Sequence, residues 1–220
     1  MKIILASGSP RRKQLLELAG IDAGVLVTNA DETAMGTPEE QVRELSLRKL
    51  ECAIEMGTKA SHFDGSDVTL PANASLDAGR VTSPPFQHII IAADTLVYIN
   101  GEVLAKPESP EEAFDMLKKL EGKKHTVYTG VAIGKLVGCY SETYVFASST
   151  DVYFRSLTDD EILAYIKTGE PFDKAGAYGV QEKGALLVEK VVGDFYTVVG
   201  LPLAKVCKVL TDMGVDVWKV

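Results

Sequence analysis

Apolar residues recur along this 220-residue chain in two rhythms, short runs that suit strands and three-to-four spacings that suit helices. Lys2 to Ala6 is a short apolar run, long enough for one buried strand. Ser7, Gly8, Ser9 and Pro10 are turn formers. A helix follows, with Ser9 as N-cap, Pro10 at the first helical position and Gly20 closing it after Ala19. Ile21 to Thr28 reads as a second strand. Thr37-Pro38-Glu39-Glu40 is a capping box, and the helix it opens runs to about Met56 and stops at Gly57. Ile89 to Ala93 is the most strand-like run in the chain. After Asp94-Thr95 the apolar character resumes in Leu96 to Ile99, and Asn100-Gly101 predicts a hairpin into Glu102 to Leu104. Ser109-Pro110-Glu111-Glu112 opens a helix with Ala113, Met116, Leu117 and Leu120 on one face, ending near Gly122. His125 to Ile133, Glu142 to Ala147 and Val152 to Phe154 read as strands. Thr158 to Glu161 caps a helix through Lys167. Ala185 to Val192 and Phe195 to Val199 predict a hairpin around Gly193-Asp194. A last helix begins near Pro202 and stops at Gly214. Strands and helices mix without strict alternation, which predicts an α/β or α+β domain with a mixed sheet.

Ser61 to Pro85 has neither rhythm. It is rich in Gly, Ser, Asp, Ala and Pro and reads as a long surface loop, an insertion at 61–85 in a single domain spanning 1–220. The chain as a whole is 46% hydrophobic, enough for a proper core. No apolar run approaches the roughly 20 residues of a membrane span, and the start lacks the features of a signal peptide. Cys52, Cys139 and Cys207 show no metal or redox spacing, which suits a reducing compartment. The net charge of −8 argues against nucleic acid and acidic membranes as partners, and leaves room for a small anionic substrate where cations converge.

Candidate chemistry lies where charge breaks the pattern. Arg11 and Arg12 fall in the first turn of a helix, where the N-terminal partial positive charge disfavours them unless an anion offsets it. They either point into solvent or hold that anion. Lys49 projects near the middle of an apolar arc made by Val42, Leu45, Leu50, Ala53 and Met56, and either snorkels out or aims into a cleft. Asp94 interrupts the most apolar strand and must be paired, metal-bound or at the edge of an active site. The chain has no GxxxxGK[ST] loop, no GxGxxG after a strand, no HExxH and no GxSxG, and its three histidines are scattered. What remains is a set of cations (Arg11, Arg12, Lys49, Lys106) and carboxylates (Glu32, Asp94). That combination suits hydrolysis of a phosphate ester or anhydride, and it does not identify the substrate.

Six stretches narrow the choice: LASGSPRRKQLL at Leu5–Leu16, AADTLV at Ala92–Val97, Lys106-Pro107, HTVYTGVAI at His125–Ile133, DKAGAYGVQ at Asp173–Gln181 and GDFYTVVGLPL at Gly193–Leu203. In this order, over nearly the whole chain, they resemble the Maf family, also called septum formation inhibitor proteins. The resemblance implies an elongated α/β fold similar to inosine triphosphatase, a mixed β-sheet flanked by helices. It implies a nucleoside triphosphate pyrophosphatase that cleaves between the α- and β-phosphates with a divalent metal (Mg²⁺ or Mn²⁺), in the cytoplasm and as a homodimer. Matched residue by residue, Asp94 is the general base. Ser7, Arg12, Lys49 and Lys106 are phosphate-side polar residues, and Glu32 is a carboxylate that helps hold metal. Arg11, Thr95 and Gln181 fall where the family discriminates substrates, and they resemble the branch acting on dTTP and UTP. Gln181 carries an amide donor and acceptor that match the O4 and N3–H of such a base, and the glycines from Gly176 to Gly179 leave room for a ring; otherwise it is a solvated loop residue. Thr95 is expected against sugar or base, and Arg11 against a base carbonyl or an outer phosphate. Ala105, Glu121 and the length of Ser61–Pro85 depart from the family pattern. A nucleotide-binding regulator of division without turnover, and a purine-specific enzyme of the same class, are the competing readings.

Overall fold

One 13-residue strand, Gln87–Ile99, runs through a seven-stranded sheet and organises it. The structure is a computed structural model and describes residues 2–59, 87–137 and 140–218. The insertion expected at 61–85 lies outside the described residues. In chain order the elements are β1 (Lys2–Ala6), α1 (Pro10–Leu18), β2 (Ala23–Val25), α2 (Pro38–Lys59), β3 (Gln87–Ile99) and β4 (Glu102–Leu104). They continue with α3 (Pro110–Leu120), β5 (Lys124–Val137), β6 (Tyr140–Phe154), α4 (Asp159–Ile166), β7 (Val188–Val192), α5 (Phe195–Val199) and α6 (Leu203–Asp212). The strand order is β2-β1-β3-β5-β6-β7, with β4 also paired to β3. β1 is parallel to β2 and β3, and every other pairing is antiparallel. This is the mixed α/β sheet flanked by helices that the sequence predicts.

Asp94-Thr95 does not end the apolar strand. β3 continues through both residues, in register with Gly130 and Thr129 of β5. Glu142–Ala147 and Val152–Phe154 are likewise two parts of one strand, β6. α2 passes through Gly57 to Lys59, since one interior glycine costs a helix only about 1 kcal/mol. β2 is shorter than Ile21–Thr28 suggests. The larger difference concerns Ala185–Val199. Glu182–Leu187 is a 3₁₀ stretch, Val188–Val192 alone is strand, and Phe195–Val199 is a helix, so there is no hairpin at Gly193-Asp194. The Asp194 carboxylate accepts from Tyr196 N–H and from the Thr197 hydroxyl, and Gly200 supplies a left-handed C-terminal residue. Caps at both ends override the strand preference of two valines and a threonine.

Alternation along β3 assigns its two faces. Ile90 and Ala92 point to one side, with Ile4, Ala6 and Ala132, and pack under Leu50 and Ala53 of α2. Ile89, Ile91 and Ala93 point to the other and join α1 and α6 through Leu16, Val206 and Leu210. Farther along that second face, Val97 and Ile99 enter a separate core with Leu117 of α3 and Ile162 of α4. Both faces are covered, so β3 reads as a continuous apolar run instead of an alternating one. α2 lies close on the sheet because Gly130 has no side chain: a β-carbon there would sit 2.1 Å from the carbonyl oxygen of Val42.

His125 and Tyr178 lie in the core beside α3 and α4, with His125 Nε2 2.7 Å from the Tyr178 hydroxyl. Burial pushes the imidazole pKa down to about 4, and the nearby Asp151 charge opposes that only weakly. The unfolded chain therefore takes up this proton before the folded one does as pH falls. Stability from the neutral ring is present in full above the unfolded value near 6.5 and is lost between there and about pH 4, by about 3 kcal/mol. The expected outcome is a His125 ring still neutral at pH 5 by NMR and a urea midpoint that drops between pH 7 and pH 4. A ring titrating near 6.5 contradicts it.

Candidate active site

The sheet has an interruption beside β3. β1 pairs with it as far as Ala6 opposite Ala92, and β4 joins at Leu104 opposite Val97. Between these points Ala93 to Leu96 have no strand along that edge among the described residues. Successive side chains of a strand point to opposite faces. Asp94 and Thr95 therefore reach the same opening from the two sides of the sheet. A cavity of ≈ 410 Å³ lies there.

On the α2 side the cavity holds three alternating charges. Lys49 Nζ donates to Asp94 Oδ1 at 2.6 Å and lies 2.9 Å from Glu32 Oε1. Lys49 is 13% exposed and Asp94 15%. The lysine therefore aims into the cleft and does not snorkel. Glu32 comes from the stretch between β2 and α2, and its hydrogen bond from Lys49 holds its pKa below the usual carboxylate value. Lys106, just after β4, borders the same cavity with an exposed side chain.

On the other face Arg12 is a strut. Its Nε donates to the carbonyl of Gly200 at 2.8 Å, Nη1 to Ser7 Oγ at 2.9 Å and Nη2 to Thr95 Oγ1 at 3.0 Å. Ser7 also accepts from the backbone N–H of Ser9, so it fixes the turn between β1 and α1. Burial lowers the pKa of the guanidinium, and the Asp94 charge pulls the other way. The hydroxyls beyond Arg12 have a fixed polarity. Thr129 gives its only hydrogen to the carbonyl of Thr197 at 2.7 Å, so across the 2.9 Å contact Thr95 is the donor and Thr129 the acceptor.

Arg11 does not point into solvent. Its Nη1 meets Asp173 Oδ2 at 2.8 Å across the mouth of the cavity. Asp173 is held in turn by Lys174, whose Nζ also donates to the carbonyl of Glu170. Burial would raise the Asp173 pKa, but the hydrogen bonds from Lys174 and Arg11 outweigh it and bring it below the ordinary value. Gln181 borders the cavity from the same segment. A β-carbon on Gly176 would lie 2.9 Å from Val97, so that glycine serves packing within the protein, while Gly179 borders the cavity beside Gln181. The residues singled out in the sequence thus converge here. Ser7 and Arg12 form the scaffold, Arg11, Glu32, Lys49, Asp94, Lys106 and Gln181 surround the opening, and Thr95 belongs to both groups. Asp173, Lys174 and Tyr178 also border the cavity, and nothing in the local pattern distinguishes them beyond the stretch DKAGAYGVQ.

Glu32 and Asp94 are the cavity carboxylates that could hold a divalent cation. Among the described residues no three His, Cys, Asp or Glu side chains converge as a metal site. Mg²⁺ is commonly held by one or two carboxylates with water and substrate phosphates completing its shell.

Known proteins resemble this chain along nearly its whole length. The family model described as Maf-like protein matches residues 2–213. A protein of Thermotoga maritima named dTTP/UTP pyrophosphatase is 44% identical over 221 residues, covering 100% of this chain and 92% of its own length. A protein of Bacillus cereus with the same name is 41% identical over 218 residues, covering 98% of this chain and 97% of its own. Among solved structures, the Staphylococcus aureus Ham1 protein aligns with 70% of this chain and 72% of its own at 16% identity and a TM-score of 0.35. The match by sequence runs from β1 through α6 and takes in every residue placed around the cavity: the chain belongs to the Maf family.

Proposed function

We propose that this chain hydrolyses dTTP and UTP at the α–β anhydride, releasing the nucleoside monophosphate and pyrophosphate. The observation that carries the reading is the charge distribution in one cavity: Asp94 in the gap of the sheet, with Arg11, Arg12, Lys49 and Lys106 around it. The names of the Thermotoga maritima and Bacillus cereus relatives supply the substrate class.

Asp94 is the base in this reading. In the substrate-free site Lys49 takes Oδ1 and Oδ2 is open to a water. The water passes a proton to the carboxylate as its oxygen attacks the α-phosphorus. The bond to the bridging oxygen breaks, and pyrophosphate leaves with the electron pair. The cations offset the charge that grows on the leaving oxygens, which is where fixed charge accelerates such a step most. A divalent metal held by Glu32 and Asp94, Mg²⁺ or Mn²⁺, would supply further neutralisation of the phosphates when bound. Gln181 reads the base. Its carbonyl accepts from N3–H and its amide donates to O4, a pairing that cytosine reverses. A cytoplasmic homodimer belongs to the same reading on the family resemblance alone. Among the described residues no helix is long and apolar enough to cross a membrane.

The test is a nucleotide panel with Mg²⁺ or Mn²⁺, assayed for pyrophosphate against phosphate. dTTP and UTP should give pyrophosphate, and release of phosphate, or preference for a purine, overturns the reading. Asp94→Asn should stay folded and lose activity by about 10²–10⁴-fold, the usual worth of a positioned acid–base group. Near-normal turnover in the folded, metal-supplied variant would remove Asp94 from that role. For base selection, kcat/KM for UTP should exceed that for CTP by up to about 10⁴-fold. Gln181→Ala should narrow that ratio more than it lowers metal affinity, and an unchanged ratio would take Gln181 out of base reading.

A further inference from the structure

The ammonium of Lys49 stands between the two carboxylates that would hold a metal at this site. A single nitrogen lies within hydrogen-bond distance of one oxygen of Asp94 and one of Glu32, at 2.6 and 2.9 Å. These carboxylates come from elements far apart in sequence, and the lysine is what joins them. A cation shared by both would lie within a few ångströms of that ammonium whichever oxygens it took, and two cations at that range repel each other. Metal binding between Glu32 and Asp94 therefore works against Lys49 in its present place.

The lysine is built to move. Its root is fixed, because Leu45 and Leu50 on either side in α2 are buried against the sheet. Its four-carbon stem is flexible and ends in a point charge with three donors, two of them used here. Lys106 borders the same cavity, so a polyanion bound beside it offers the displaced ammonium new oxygens within the cleft.

We propose that Lys49 is the resident counter-ion of the substrate-free site. It neutralises Glu32 and Asp94, keeps metal affinity low in the absence of nucleotide, and transfers to a phosphate oxygen when metal and nucleotide enter together. The inference rests on the triphosphate reading above for the second half of this exchange; the first half concerns the protein and a metal alone.

The experiment is a titration of the full-length, nucleotide-free protein with Mn²⁺, following the loss of the free-ion EPR signal. Lys49→Met should bind Mn²⁺ at least about tenfold more tightly than the wild type, since it removes a like charge a few ångströms from the metal. Lys49→Arg, which keeps the charge, should stay close to the wild type. Glu32→Gln added to Lys49→Met should return affinity to the wild-type level. Lys49→Gln provides a second neutral variant if Lys49→Met does not fold. In the wild type, a UTP analogue with a methylene bridge between the α- and β-phosphates should tighten Mn²⁺ binding. The proposal is overturned if a folded neutral variant binds Mn²⁺ no more tightly than the wild type, or if Glu32→Gln leaves the gain intact. The titration needs no turnover, so a nucleotide panel that finds no hydrolysis defeats the proposed activity and leaves this result to stand or fall by itself.

Discussion

The guanidinium of Arg12 is the constraint on which the other parts depend. One face of the sheet carries two apolar cores, the first ending at Ala93 and Val131 and the second beginning at Val97 and Val127. Between them the register places Thr95 opposite Thr129, so the seam is polar. Arg12 enters this seam and donates to groups from three separated parts of the chain. A buried cation is costly unless its donors are satisfied. Here the acceptors are a carbonyl and two hydroxyls, none of them charged. Its positive charge is therefore not cancelled locally and is felt at Asp94.

The gap beside β3 converts that arrangement into a site. With a strand along the whole edge, Asp94 and Thr95 would belong to opposite sides of a closed wall. Because β1 stops and β4 starts later, the two share an opening. α2 brings Lys49 to the same place only because Gly130 lets the helix lie against the sheet. The site is thus a product of strand lengths and one missing side chain as much as of the charged residues themselves.

Much of this is legible in the chain. Asp94 and Lys49 stand out because each sits where an apolar pattern predicts no charge, and Arg11 and Arg12 because a helix start disfavours them. The three helices that open on a Ser or Thr followed three residues later by Glu begin where their side chains say. Long-range pairings are not legible. Arg11 meets Asp173 at a separation of 162 residues and Arg12 meets Gly200 at 188, and no local spacing encodes either contact. Phe195–Val199 reads as a strand because its side chains favour one, while the decisive groups, the Asp194 carboxylate and Gly200, lie just outside it. The glycines near Gln181 show that close approach is needed, but not that the neighbours are Val97 and Lys174.

The direction of the hydroxyl chain gives the cavity a polarity of its own. Thr129 has committed its hydrogen to a carbonyl, and Thr95 has committed its hydrogen to Thr129. With one lone pair occupied by Arg12, the only thing Thr95 still offers is an acceptor. Whatever docks on it must bring a hydrogen. A sugar hydroxyl or a ring N–H qualifies, and a fully ionised phosphate oxygen does not. The seam that holds the fold together thereby presents an acceptor at one wall of the cavity, while Lys49 presents donors on the α2 side.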